Sequence, residues 1–350
     1  MLTAVVVGCG AVSARWLQAA QKIQDLKVVG LVDIDEARAR GRAAEFGLTD
    51  AAIGANLEAI LAAVRPDMLF DVVAPQSRRD VAVAAFAAGC HVLSEKPLAA
   101  SLEDARVILA AARRHDRLHA VVQNRRYIGA VRRLRRFLQS GEMGRLTSIH
   151  ADFFLAPHFG GFREAMDHVL LLDMAIHTFD VARHLADQQP KSVYCLEWEP
   201  ANSWYKAGSS AAALFEFDGG AVFSYRGSWC AAGARTSWES AWRLICERGA
   251  ITWDGLDGLG AERVSGVRDG LFDVTEPVAI PDLDPSDRVG GHQGVIEDFV
   301  AAVRTGSPPE TCGCDNIKSL AMVFGAIESA ETRRPVAIHL EACDHGSFAA

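Results

Sequence analysis

Two acids and two histidines share one stripe of the segment LLLDMAIHTFDVARHL, residues 170–185: Asp173, His177, Asp180 and His184. On a helix, spacings of three and four residues stack side chains one above another. A carboxylate one turn before a histidine can orient the imidazole and raise its basicity, which a general base working near neutral pH requires. Three readings fit this pattern. His177 could move a proton with Asp173 in support, histidine and carboxylate could share a metal ion, or the stripe could be a solvated face without chemistry. The segment has no further ligand-type residues close by, so no metal is expected. Leu172, Ala175, Ile176, Phe179 and Ala182 supply the apolar stripe that would bury the helix.

A second reactive group is Lys96, held between Glu95 and Pro97 just after the apolar run Cys90–Leu93. At the carboxyl end of a strand its ammonium could donate to a substrate hydroxyl and stabilise developing negative charge. The bland alternative is a surface lysine paired with Glu95. A third feature is the turn GCGAVS, Gly8–Ser13, between the apolar run Leu2–Val7 and a helix. Gly8 permits the tight turn and Gly10, lacking a Cβ, lets a pyrophosphate approach the backbone, while the helix that follows offers unpaired N–H groups. Ser13 stands where this fingerprint has a third glycine. Asp33 closes the next strand, where an adenosine ribose needs a carboxylate to accept its hydroxyls. An acid there repels a 2′-phosphate, so NAD is expected over NADP. No arginine directly follows Asp33 in VDIDEAR, and Arg38 is the nearest that could swing back.

These groups need elements to hold them. After Asp33 the pattern alternates helix and strand to about residue 123. Asp35 caps a helix ending at Phe46 and Gly47, a short helix runs from Asn56 to Val64, and Met68–Ala74 is a buried strand. Ser77 opens a helix that closes at Gly89, and Ser101 with Asp104 forms a capping box for a helix to about Arg114. Such alternation implies right-handed crossovers and a doubly wound parallel sheet, with ligands beyond the carboxyl ends of the strands. The basic stretch RRYIGAVRRLRRFLQSGEMG follows, its arginines expected on a solvated side and Val131, Leu134 and Leu138 on a buried one. From Ile149 strand-like runs predominate, which implies a second, mostly antiparallel sheet domain. Helices return at Gly294–Val303 and Ile317–Ser329, with a last strand at Val336–Leu340.

Bulk composition limits the partners. At 350 residues the chain accommodates about two domains. A net charge of -8 argues against nucleic acid as a partner. The apolar stretch Val81–Leu93 is too short to span a bilayer, so no membrane is expected. Eight scattered cysteines suggest free thiols, and Cys312 with Cys314 lack the second pair of a metal knuckle. With a first strand starting at residue 2, we expect no leader peptide and a cytoplasmic protein.

Taken in order, the glycine turn with Asp33, the Glu95-Lys96-Pro97 tripeptide and the Asp173-x-x-x-His177 helix resemble the Gfo/Idh/MocA family of nicotinamide-dependent oxidoreductases, which includes glucose-fructose oxidoreductase and inositol dehydrogenase. The likeness runs through VVAPQSRRDVAVAAFAAGCHVLSEKPLA to the closing FVAAVRTGSPP and GAIESAETRRPV. It implies an α/β chain. Residues 1–123 would form a Rossmann domain, and residues 124–350 an α+β domain with an open-faced, mostly antiparallel mixed sheet for substrate and subunit contacts, its C-terminal segment able to return to the first domain. Carried over by position, Lys96 hydrogen-bonds the reacting hydroxyl, His177 takes or returns its proton and Asp173 supports the pair. Gly8, Gly10, Ala11, Val12, Asp33 and Ile34 would hold the adenosine side of NAD. Glu95 and Lys96 would touch its nicotinamide end, with a cis peptide before Pro97, while Ala74, Pro75 and Gln76 match the family segment that passes over the cofactor and Asn124 lies near where the next strand comes up to it. One departure stands out: the family's glycine pair before the catalytic helix is replaced by His168 and Val169, preceded by Asp167.

The substrate implied is a sugar, inositol or related polyol, and the assembly a homodimer or homotetramer. Tyr127, His158, Arg163, His168 and Trp204 are the candidate substrate contacts, and His292 is a further polar group in loop-like surroundings. Most of the tryptophans from Trp198 to Trp253 are expected in core. Two other functions fit the same fold: a glycosidase or lyase that oxidises its sugar transiently and regenerates NAD, and a noncatalytic NAD-sensing regulator.

Overall fold

The computed structural model describes residues 1–340. In chain order its elements are β1 (Leu2–Val7), α1 (Ser13–Ala20), β2 (Leu26–Val32), α2 (Glu36–Glu45), β3 (Ala52–Gly54), α3 (Leu57–Val64), β4 (Met68–Asp71), α4 (Pro75–Ala87), β5 (His91–Ser94), α5 (Leu102–Arg114) and β6 (His119–Val121). There follow α6 (Gly129–Gln139), β7 (Leu146–Phe154), α7 (Ile176–Ala186), β8 (Pro190–Trp198), β9 (Ser210–Phe217), β10 (Val222–Ser228), β11 (Ala241–Cys246), β12 (Gly249–Trp253), β13 (Leu259–Asp269) and β14 (Phe272–Val278). The chain closes on α8 (His292–Thr305), α9 (Gly313–Thr332) and β15 (Val336–Ala337). Two compact units result. The first holds Met1–Tyr127 and Arg288–Ile317, the second Ile128–Asp287 and the described residues from Lys318 onward.

In the first unit six parallel strands take the order β3-β2-β1-β4-β5-β6. Chain order reverses beside β1, so ligands are expected at the carboxyl ends of β1 and β4. The strands are apolar on both faces because helices cover both, with Val6, Phe70 and Leu93 fully buried. Trp16 is fully buried against Phe70, ring centroids 5.3 Å apart. An indole buried this way removes roughly 200 Å² from water, about 5 kcal/mol before entropy is subtracted. The expected caps form: Asp35 accepts the Ala37 N–H, Asn56 that of Ala59 and Ser101 that of Asp104. Helix α4 starts earlier than Ser77, because Pro75 occupies its first position, where a missing N–H costs nothing. The expected helix at Gly294–Val303 is α8, which supplies Val295, Ile296 and Phe299 to this unit's core.

In the second unit nine strands take the order β14-β13-β12-β11-β7-β10-β9-β8-β15, antiparallel except where β7 and β10 pair. Helix α7 lies on one face, its Phe179 packed edge-on against Phe215, Phe223 and Tyr225. The opposite face is open, since alternate residues of a strand point to opposite sides. Tyr194, Leu196 and Trp198 of β8 stand on it with Leu214 of β9, each more than a third exposed.

Two expectations need correction. The arginines after residue 124 do not form a solvated side. Arg125 and Arg126 are buried in a 3-10 turn, Asn124–Tyr127, and Arg126 pairs with Asp315 at 2.7 Å. On α6, Arg133 donates to the carbonyls of Ile280 and Pro281, Arg135 pairs with Asp187 and Arg136 with Asp287. Guanidinium groups thus satisfy acceptors of loops distant in sequence. The cysteines divide as well. Cys9, Cys90, Cys195, Cys230 and Cys246 are buried free thiols, whereas Cys314 is disulfide-bonded, and Cys343 lies outside the described residues. Among the described residues no helix is long and apolar enough to cross a membrane, and no group of three His, Cys, Asp or Glu side chains could hold a metal ion.

Candidate active site

In the first unit the turn after β1 has the shape a dinucleotide needs. Gly8 has φ +90, and a Cβ there would fall 2.7 Å from the Val72 carbonyl, so only glycine fits against the β4 loop. A Cβ on Gly10 would meet nothing within 4 Å, which leaves the backbone open to an approaching phosphate. Ser13, in place of a third glycine, is fully buried and donates its hydroxyl to the Gly10 carbonyl at 2.7 Å, closing the turn from inside. Asp33 follows β2, and its Oδ2 accepts the Cys9 N–H at 2.7 Å while Oδ1 accepts that of Asp35 at 2.9 Å. Between that acid and the turn the Cys9 thiol is pushed up to about 12 by burial and by Asp33, and so stays protonated. Ala11 and Val12 flank the turn in the open, and Ile34 is 96% exposed. Arg38 turns away to Asp35. Instead Arg42, a residue that sequence reading missed, donates to the Gly10 carbonyl at 2.9 Å. These residues fit NAD.

The same rim carries the Glu95-Lys96-Pro97 loop after β5. Glu95 accepts the Trp16 indole N–H at 3.0 Å and the Lys96 N–H at 2.9 Å, and His292 Nε2 lies 3.3 Å from it. Burial raises this carboxyl, but His292, Lys96 and Trp16 outweigh it and hold the group below its ordinary range. His292, at the start of α8, is thereby a partner of Glu95. The Lys96-Pro97 peptide is cis. Ala74 caps α4, Pro75 and Gln76 open it after β4, and Asn124 is half-buried in the turn after β6.

Beneath both loops lies a buried network without a sequence motif. Arg78, 1% exposed, donates to Asp71 Oδ2 at 3.2 Å, to the Val73 carbonyl at 2.6 Å and to the Pro97 carbonyl. Ser94 donates to Asp71 at 3.0 Å and lies 3.1 Å from His119. Burial pushes the Asp71 carboxyl up against the pull of Arg78, and pushes His119 down to about 3. Tyr127, a candidate substrate contact, is 1% exposed, and its hydroxyl donates to Asp298. The ring is core, because the turn after β6 points it inward under α8.

In the second unit the segment that carries Asp173 and His177 is a π-helix over Leu170–Ala175 that continues as α7. Such widened turns frequently occur at functional sites. Asp173 and His177 are half-buried on this segment, but Asp180 is not part of their stripe. It is 1% exposed and accepts the Ser319 hydroxyl at 2.6 Å, so it ties α7 to α9. Leu172, expected in the apolar stripe, is half-exposed, since the wider π-turn rotates it out of the α-helical register. Arg163, in the 3-10 turn Gly161–Ala165 that precedes this segment, donates Nε–H to Asp173 Oδ2 at 2.8 Å, bringing two candidates together.

His168 stands at φ 51 where a glycine was expected. Its Nδ1 bonds Glu197 at 2.6 Å and its Nε2 lies 3.5 Å from Glu331. The Glu197 hydrogen bond raises the His168 pKa despite burial. The neighbouring loop 200–208 is tied down alongside: Leu170 donates to the Gly208 carbonyl, Lys206 pairs with Asp167, and Tyr205 donates to the Pro157 carbonyl. His158 and Trp204 stack face to face, centroids 3.7 Å apart. Trp229, Trp242 and Trp253 are core, whereas Trp198 and Trp238 are about half exposed.

Known proteins share this organisation. Residues 2–123 match the oxidoreductase family with an NAD-binding Rossmann fold, and residues 131–252 match the Gfo/Idh/MocA C-terminal domain. D-apiose dehydrogenase of Paraburkholderia graminis is 26% identical over 95% of this chain and 88% of its own length. Inositol 2-dehydrogenase of Streptomyces avermitilis is 27% identical over 72% of each chain. The crystal structure of an oxidoreductase from Agrobacterium radiobacter with NAD+, L-tartaric acid and magnesium superposes with a TM-score of 0.83 at 21% identity, covering 96% of this chain and 98% of that one. With matched domains in both halves, a parallel Rossmann sheet and a mixed second sheet, the chain belongs to the Gfo/Idh/MocA family of NAD-binding, sugar- and polyol-dehydrogenase-type oxidoreductases.

Proposed function

We propose that this protein transfers a hydride between NAD and a hydroxyl-bearing carbon of a sugar, inositol or related polyol. The observation that carries the reading is the anchoring of Lys96. Its preceding carboxylate is held by Trp16 and His292, its own N–H is spent on that carboxylate, and the loop sits on the rim that also bears the open Gly10 turn. A lysine with a fixed backbone there can aim its ammonium at the reacting oxygen and stabilise negative charge as the O–H bond breaks.

In this mechanism Asp33 accepts from the adenosine ribose, and its charge disfavours a 2′-phosphate. Bound NAD supplies the hydride acceptor. His177 takes the hydroxyl proton in oxidation and returns it in reduction, and Asp173 sets the orientation of that segment's polar face. Arg163 holds the Asp173 carboxylate in one rotamer. The relatives named above act on apiose and inositol by their names, which favours polyhydroxylated substrates here. The open sheet face with Tyr194, Leu196, Trp198 and Leu214 supports a homo-oligomer built on that surface.

A panel of polyols, aldoses and sugar acids, offered with NAD or NADP and followed by reduced-nicotinamide absorbance, tests the reading. Turnover with NAD on at least one polyhydroxylated substrate is expected. Turnover without net nicotinamide reduction would transfer the assignment to transient sugar oxidation.

A further inference from the structure

An aromatic cluster adjoins Asp173 in the second unit. Arg163, which bonds that carboxylate, lies with its guanidinium carbon 4.9 Å from the centroids of both Phe159 and Phe162. Phe159 contacts Trp229 at 5.4 Å and Trp238 at 6.2 Å, and the two indoles lie 5.8 Å apart. Trp229 is buried and forms the floor. Phe159, Phe162 and Trp238 are 41%, 67% and 49% exposed, so all three side chains keep aromatic surface in solvent near Arg163, the partner of Asp173. Among the described residues Arg163 spends only Nε on a hydrogen bond, which leaves its two Nη groups as donors next to those rings.

Exposed aromatic surface beside unspent guanidinium donors matches a ring that has both an apolar face and oxygen acceptors. A pyranose has both: axial C–H groups on its face and hydroxyls at its rim. An apolar aglycone would use the rings and ignore the donors, and a lone carboxylate would meet the Asp173 charge already paired with Arg163. Resting on the dehydrogenase reading above, we infer that Phe159, Phe162, Arg163 and Trp238 form a subsite for a second sugar ring, so that the preferred substrate is a disaccharide or glycoside rather than a free monosaccharide. The ring to be oxidised engages Asp173 and His177, and the non-reacting ring rests on the aromatic faces.

The test compares kcat/KM for matched pairs, glucose against maltose, cellobiose and trehalose, in wild type, Phe162→Ala and Trp238→Ala. Phe162→Leu serves as a second variant that keeps an apolar side chain, and thermal melting checks that each variant folds. We expect the disaccharide-to-monosaccharide ratio to be about tenfold or more in wild type, and to fall toward one in both alanine variants. Equal rates on both members of every pair, unchanged by the variants, overturn the subsite and leave the dehydrogenase reading standing. If no sugar of either kind reduces NAD, the dehydrogenase reading fails. The subsite is then decided by titrating each disaccharide against tryptophan fluorescence: saturable change lost in Trp238→Ala supports it, and no change overturns it. Dissociation of an oligomer in the alanine variants, seen by sedimentation, assigns the rings to a second copy of the chain and also overturns it.

Discussion

The Asp33 carboxylate accepts the Cys9 N–H at 2.7 Å, so the residue proposed to meet the ribose also stitches the end of β2 to the glycine turn. Removing it loosens both. Asp33→Ala should weaken NADH binding roughly ten- to a hundredfold, the range for hydrogen bonds to a charged group, and shrink the preference for NAD over NADP. Fluorescence titration with both reduced dinucleotides reads this directly. Tighter binding of NADP than NAD by the wild type would contradict the charge argument.

His177→Ala should lower kcat by about 10²–10⁴ while leaving NADH affinity within twofold of wild type, since in the proposed mechanism the side chain acts on the proton and not on the dinucleotide. Lys96→Met should cost about 10²–10³ in kcat. Lys96→Arg should not restore it, because a planar fork cannot replace a compact ammonium at one oxygen. Turnover by His177→Ala at the wild-type rate would move the acid/base role elsewhere.

Arg78 and Asp71 form a buried ion pair beneath two loops of the first unit. Breaking one side leaves a charge without compensation in a dry interior, so Arg78→Met and Asp71→Leu singly should each cost about 3–5 kcal/mol of stability. The double variant should cost clearly less than their sum. Chemical denaturation of all three measures it, and strict additivity would mean that the pair contributes no coupling.

A pH effect follows from His168. Its pKa is raised in the folded state by Glu197, with Glu331 and Asp167 adding to the shift. A raised histidine contributes stability that is fully present below its unfolded value, near 6.5, and is lost as pH rises through the folded value. Thermal melting should therefore show a decline on the alkaline side of 6.5 that Glu197→Gln removes. An unchanged profile in that variant would show that the clamp at the start of the π-helix does not titrate.

Acid acts on the opposite side of neutrality. His119 is pushed down to about 3 by burial, with Arg78 adding to it, so its neutral form stabilises the fold above 6.5 and that contribution drains away as pH falls toward 3. His119→Asn should flatten the acid limb of the melting curve between those values, with little change at neutral pH.

Local pattern alone determined a good part of this protein. Apolar runs alternating with capped helices imply the parallel sheet, and that sheet places Gly8, Gly10, Asp33 and Lys96 on one rim. Those positions follow from the chain's direction through each strand. What sequence could not decide is which face of an element meets a neighbour distant in the chain. Asp173, His177 and Asp180 look equivalent on a helical wheel, yet Ser319 on α9 draws Asp180 into the core and the π-turn leaves Leu172 half-exposed. Tyr127 reads as a substrate contact and the arginines after residue 124 as a solvated side until Asp298, Asp315 and Asp287 arrive to pair with them. Arg78 belongs to no motif, and its role exists only because Asp71, Val73 and Pro97 converge on it. The open glycine turn shows the converse: backbone conformation and the missing Cβ are local, so the sequence alone announced it.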